Sequence, residues 1–218
     1  MQTKAIKEKI KSVGSIKKIT KTMEMVSAAK MKKAIDNAHK LRPFHEEAQQ
    51  VLEDISLDSM CRHELLLHNG VEGEVVILIA SNKGLCGSYN INVYRKLLEG
   101  YNEEERKKLK IIAFGKYAEK VAKKLHVETI ASFNHPVLSS DDAHAAMTMI
   151  IDWYKEKKIG AVRILYTHFT SATTFTPTLL QLLPFSSEGK PDSHGEPRYI
   201  DEPDQETVLS SIIPMMLH

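Results

Sequence analysis

The sequence predicts an α/β protein, a Rossmann-like, mostly parallel sheet flanked by helices, preceded by a long N-terminal helix. Two observations predict it. In the first sixty residues apolar side chains recur every three or four positions (Ile6, Ile10, Val13, Ile16, Ile19, Met23, Val26, then Met31, Ile35, Ala38, Leu41, Ala48, Leu52, Ile55). That spacing draws one stripe along a helix. From Glu74 onward, short β-branched runs alternate with amphipathic stretches. Such alternation builds parallel strands joined by helices on both faces of the sheet.

About 55 helical residues rise roughly 80 Å, longer than a domain of this size is wide, so the helix is expected to project. Its stripe is no strict heptad. Val13, Ile16 and Ile19 step by three, and the phase jumps at Ser27, Ala28 and Ala29, where small residues admit a close partner. An irregular two-helix coil suits this seam better than a regular zipper. Gly14 and Pro43 are the expected bending points, and Pro43 is a candidate end. Residues 1–33 carry ten lysines against Glu8 and Glu24, a net of +8, whereas the whole chain is only +2. The run reads as a solvated face, a nucleic-acid or membrane-surface helix, or a basic rod beside an acidic partner protein. No aromatic residue interleaves these lysines, which weakens the second reading.

Beyond the helix, Cys61–Gly73 is a polar link with Asn69-Gly70 as a turn. Glu74–Ser81 is a strand apolar on both faces. A loop, Asn82–Gly87, leads to a helix from Ser88 to about Tyr101. Then follow strand Lys110–Phe114, a turn at Gly115, helix Lys116–Leu125 and a weaker strand at about Val127–Phe133. Helix Ser140–Lys158 opens on Ser140-Asp141-Asp142, good capping chemistry. Strand Gly160–His168 and a long edge strand in Thr170–Leu183, where Pro177 is tolerated, complete the sheet. Ser186–Pro197 is a polar Gly/Pro-rich loop, and Pro203-Asp204 opens a last helix whose stripe is Val208, Leu209, Ile212, Ile213, Met216 and Leu217. The expected divisions are 1–58, 59–203 and 204–218.

The chain is 218 residues with 42% hydrophobic and 27% charged content, ordinary for a globular protein. The longest apolar run, Val75–Ala80, is strand-sized, and no secretory signal is expected. Cys61 and Cys86 read as reduced thiols, and a cytoplasmic setting follows by default. Gly84-x-x-Gly87 after a strand invites a phosphate reading, but it is neither GxGxxG nor a P-loop, so a tight strand-to-helix turn with Gly87 clearing the helix is preferred. Cys86 beside Lys83 reads as a reactive or as a buried structural thiol. His135, His144, His168 and His194 fall in different elements, and no metal, cofactor or catalytic set is expected.

SIKKITKTMEMVSAAKMKKA closely resembles the N-terminal signature of the γ subunit of F-type ATP synthases, and SNKGLCGSYNIN resembles that family's second signature. The resemblance covers the whole chain. It implies a central-stalk rotor without catalytic residues, coupling ion flow to ATP synthesis or hydrolysis in the α/β head. The N-terminal helix is then half of an antiparallel coiled-coil shaft, and the C-terminal half is largely missing here. Lys18, Ile19, Lys21, Met23 and Lys30 are implied contacts with the α and β subunits of the head, whose β subunits present an acidic loop. Tyr199, Asp201, Glu202 and Asp204 are implied contacts with the ε subunit and the c-ring of the membrane sector. The implied location is the bacterial inner membrane, peripheral, on the cytoplasmic side, with no nucleic-acid partner. The rival reading is a small α/β phosphate- or nucleotide-binding enzyme with a helical oligomerisation arm.

Overall fold

The computed structural model describes residues 2–56, 63–135, 139–171 and 173–185. The chain falls into two compact units, residues 1–50 and 51–218. The expected loop 186–197, the last helix and Tyr199, Asp201, Glu202 and Asp204 lie outside the described residues.

The first unit belongs to one helix, α1 (Gln2–Ser56). Pro43 does not end it; the helix runs on for thirteen residues past the proline. Proline removes one donor and crowds one carbonyl, a local cost that the turns on either side can carry. Gly14 also lies within the helix, with no atom near the place a Cβ would occupy.

The second unit contains a five-stranded sheet. β1 (Glu74–Ile79), β2 (Leu109–Phe114), β3 (Glu128–Phe133) and β4 (Ala161–Phe169) are parallel, and β5 (Phe175–Leu183) returns antiparallel to β4. The order β3-β2-β1-β4-β5 puts β1 in the centre. Helices α2 (Tyr89–Gly100) and α4 (Lys116–Lys124) cover one face and α5 (Ser140–Lys155) the other. β1 shows why its sequence is apolar throughout. Val75 and Ile77 pack with Ile150 and Tyr154 of α5, whereas Val76 and Leu78 pack with Val93 and Leu97 of α2 and Val121 of α4.

Several boundaries move from the sequence reading. A short helix, α3 (Glu103–Lys108), was not expected; its signal is the capping box in which Asn102 accepts from the Glu105 amide and Glu105 accepts from the Asn102 amide. Helix α5 ends at Lys155, not Lys158, because Lys157 turns left-handed (φ 55°) and carries Ile159 into the core. Its cap is Ser139, whose hydroxyl accepts from the Asp142 amide at 3.1 Å. The last strand begins at Phe175, after a turn closed by Ser171 and Thr174. Gly87 does not clear a helix from the sheet: nothing lies within 4 Å of its Cβ position, and the glycine serves a left-handed φ of 58°. Close approach occurs instead at Gly160, where a Cβ would sit 1.8 Å from the Val71 carbonyl oxygen.

Gly160→Ala therefore forces backbone apart, and a urea melt is expected to record a loss of at least about 2 kcal/mol. Gly14→Ala meets no obstacle, and helix propensity predicts a gain of roughly 0.5–1 kcal/mol for α1, read as a higher helical midpoint by circular dichroism.

Candidate functional site

Two surfaces come forward: the stripe of α1 and the loops at the carboxyl ends of β1, β2 and β3. On α1 the apolar side chains are in the open. Ile10 is 66% exposed, Ile19 60% and Met23 50%, among eleven large exposed hydrophobics on the described residues of this helix. The hydroxyls nearby are satisfied within the helix: Ser15 donates to the Lys11 carbonyl, Thr20 to Ile16 and Thr22 to Lys18, each at 3.0–3.1 Å. Such back-bonded hydroxyls leave no orphan polar group for a partner to satisfy, so a packed surface can cover them. Lys21 meets Glu24 at 3.1 Å with both side chains exposed, a pair worth at most about 1 kcal/mol. Exchanging Glu24 for a partner's carboxylate thus costs Lys21 little.

Helical geometry sorts the five expected head contacts into two groups. At about 100° per residue, Ile19, Met23 and Lys30 fall in one sector roughly 40° wide. Lys18 and Lys21 lie roughly 60° apart on another side, with Lys21 about opposite Lys30. No flat partner can touch all five. A partner that surrounds the helix, or one past which the helix turns, can.

The loop after β1 is held by its own hydrogen bonds. Asn90 of α2 donates to the Ser81 hydroxyl (2.8 Å) and the Cys86 sulfur (3.2 Å), and its carbonyl accepts from the Ser81 amide (3.1 Å). Asn82 accepts from the Lys116 amide at the start of α4 and donates to the His135 carbonyl after β3. The Tyr117 amide donates to the Ser81 carbonyl. These bonds occupy the Lys116 and Tyr117 amides at the start of α4. Cys86 is half-buried. At the loop tip Leu85 is 93% exposed with φ 62°, a strained position for a leucine and one the sequence did not signal. Next to this loop, His135 Nδ1 lies 2.7 Å from Asp142 Oδ2. Asp142 thus works at both ends: its amide donates to the capping Ser139 hydroxyl, and its carboxyl meets the His135 ring.

At the opposite end of the sheet, where β1, β2 and β4 begin, a groove of about 410 Å³ is lined by Glu74, Tyr101 and Arg163 among others. Tyr101 donates to Glu74, and Arg163 Nε lies 3.4 Å from the same carboxylate oxygen. Burial, then the Glu74 carboxylate, keeps the Tyr101 phenol protonated well above its ordinary range. These groups satisfy one another. No group of three or more metal-ligating side chains occurs among the described residues. No described helix is long and apolar enough to cross a membrane.

A family model described as ATP synthase matches residues 2–218. The ATP synthase gamma chain of Staphylococcus saprophyticus is 33% identical over 97% of this chain and 75% of its own length. The chain belongs to the ATP synthase gamma-chain family. The gamma chain of Burkholderia pseudomallei is 34% identical over 96% of this chain and 76% of its own length. This family member thus spans about three quarters of the length of these relatives. Among solved structures, the central stalk/c-ring of the Tetrahymena thermophila mitochondrial ATP synthase matches with TM-score 0.66 and 19% identity, over 91% of this chain and 87% of that one. The rotor of the Euglena gracilis enzyme matches with TM-score 0.63 and 18% identity, over 97% and 79%. At that identity the two structures establish the shared fold.

The His135 hydrogen bond holds the Asp142 carboxyl below the ordinary aspartate range, against desolvation. A depressed folded value means stability fully present above the unfolded value of about 3.9 and lost as pH falls through the folded one. In urea melts Asp142→Asn is expected to be less stable than wild type at pH 6, with the gap closing as pH drops below about 4. A gap constant from pH 6 to pH 3 would contradict the pairing.

Proposed function

We propose that this chain is the central-stalk rotor subunit of an F-type ATP synthase, turning inside the α/β head and carrying no catalytic residue of its own. The observation that carries the reading is α1: a 55-residue helix whose apolar stripe stands exposed among lysines, in a chain matched along residues 2–218 by the family. A rotor must be gripped without being trapped. Attraction between lysines and acidic loops is long-ranged and non-directional, so one loop can hand the helix to the next. Methionine side chains such as Met23 adapt to a changing neighbour more readily than branched ones. The placing of Lys18 and Lys21 on one side and Ile19, Met23 and Lys30 on another fits a head that encircles the helix. As the shaft turns, its asymmetric face biases each site of the head in sequence, a coupling free energy passed through a rigid element.

The remaining parts follow from the same reading. Tyr199, Asp201, Glu202 and Asp204 face the ε subunit and the polar loops of the c-ring. The chain sits at the cytoplasmic side of a bacterial inner membrane, held there through the complex. Residues 1–58 serve as the shaft, 59–203 as the globular body, and 204–218 open the second shaft helix.

Co-purification with α and β subunits tests the reading. The expected result is a stable complex whose ATPase activity depends on this chain. Replacing Lys18, Lys21 and Lys30 together by Gln is expected to weaken assembly at least tenfold at low salt, with a smaller effect at high salt, where the charges are already screened. Nucleotide or phosphate bound to the isolated chain near Gly84–Gly87, with no α/β binding, would favour the enzyme reading instead.

A further inference from the structure

α2 and α4 share one face of the sheet, and the surface they turn outward is basic. α4 carries Lys116, Lys120, Lys123 and Lys124 against Glu119, a net of +3. Residues 34–218 together carry −6, the +2 of the whole chain less the +8 of residues 1–33. The charge of α4 therefore runs against that of the chain around it. At about 100° per residue the four lysines fall in one sector roughly 100° wide, about opposite the buried Ala118, Val121 and Ala122. All four are exposed. On α2, Arg95 is exposed about opposite the buried Val93 and Leu97.

The groups around these cations hold them without cancelling their charge. Among the described residues, Lys123 alone of the five is ion-paired, with Glu119 at 2.7 Å. Glu119 also accepts from Asn134, after β3, at 3.2 Å. The Lys120 ammonium lies 4.7 Å from the centroid of the Tyr117 ring, and that of Lys124 lies 4.6 Å from the Tyr94 ring of α2. A ring face attracts an ammonium and leaves it charged.

We propose that this face, Arg95 with Lys116, Lys120, Lys123 and Lys124, binds the anionic lipid headgroups of a membrane surface. Charge selects the sign of the partner, and the residue types select its class. Four of the five cations are lysines, point charges without the planar fork by which arginine grips a carboxylate on a protein. Single-stranded nucleic acid stacks its bases on open aromatic rings. Tyr94 and Tyr117 are half-buried, and each has one ring face taken by a lysine. A layer of headgroups asks only for cations on one side of a protein, within a screening length of roughly 8 Å. The inference goes beyond the rotor reading and takes from it only the nearness of a bilayer. Headgroups are alike in every direction of the membrane plane. Such an attraction draws the body toward the surface without holding it at one angle of rotation.

The test is co-sedimentation of the full chain, in complex with α and β subunits, with vesicles of phosphatidylcholine alone or mixed with phosphatidylglycerol. The complex is expected to bind the mixed vesicles and not the neutral ones, with binding that falls steeply as salt is added. Each lysine near an anionic surface contributes roughly fivefold in partitioning. Replacing Lys116, Lys120, Lys123 and Lys124 together by Gln is therefore expected to weaken binding at least tenfold, with α/β recovery and ATPase activity unchanged. No binding, equal binding by that variant, or equal binding of the unaltered complex to both kinds of vesicle would overturn the proposal and leave the rotor reading in place. Loss of α/β recovery in the variant would also overturn it, because the face would then meet an acidic protein surface of the head. Failure to recover α and β with the unaltered chain would remove the rotor reading, and this proposal with it.

Discussion

A long amphipathic helix in water is held by whatever covers its stripe. Nucleation is costly and propensity contributes little per residue, so the stability of such a helix comes from tertiary packing. α1 carries Ile6, Ile10, Val13, Ile16, Ile19, Met23 and Val26 on an exposed stripe. Its own interactions are weak ones: back-bonded hydroxyls and a solvated Lys21–Glu24 pair. What the helix lacks internally it must obtain from partners, and the lysines around it set the sign of the partner that can approach. Function and stability thus depend on the same surface.

The globular unit is built on the opposite principle. Its central strand is buried on both faces, and loops at either end of the sheet are tied by side chains that satisfy one another. Asn82 joins the β1 loop to the start of α4 and the end of β3. Asn69 closes its own turn while donating to the Tyr154 and Ile159 carbonyls at the end of α5. Glu74, Arg163 and the buried Tyr101 form a set at the other end, where the strands begin.

Much of this was legible in the sequence because period and burial coincide. The strand Glu74–Ile79 could be read from a run apolar on both faces, and α1 from its three-and-four spacing. The parts that escaped depend on single backbone angles or on pairs distant in sequence. The end of α5 is set by the left-handed Lys157, and nothing in EKKIG specifies that angle. The role of Gly160 is a contact with Val71, far away in the chain. Asp142 looked like a capping residue because its partner His135 lies in the loop after β3. The α1 residues proposed to meet the head were nameable only through the family signature. Helical geometry then added what the signature does not state, that these proposed contacts spread over roughly 200° of the helix and do not share one face.

The most direct measurement of the central claim is rotation itself. A gold particle would be attached to the globular unit of this chain, in a complex whose α and β subunits are fixed to a surface, and watched under ATP. The account predicts unidirectional, stepwise rotation that stops when ATP is removed. A particle that stays in place while the complex hydrolyses ATP at full rate would contradict it, because catalysis would then proceed without the shaft turning.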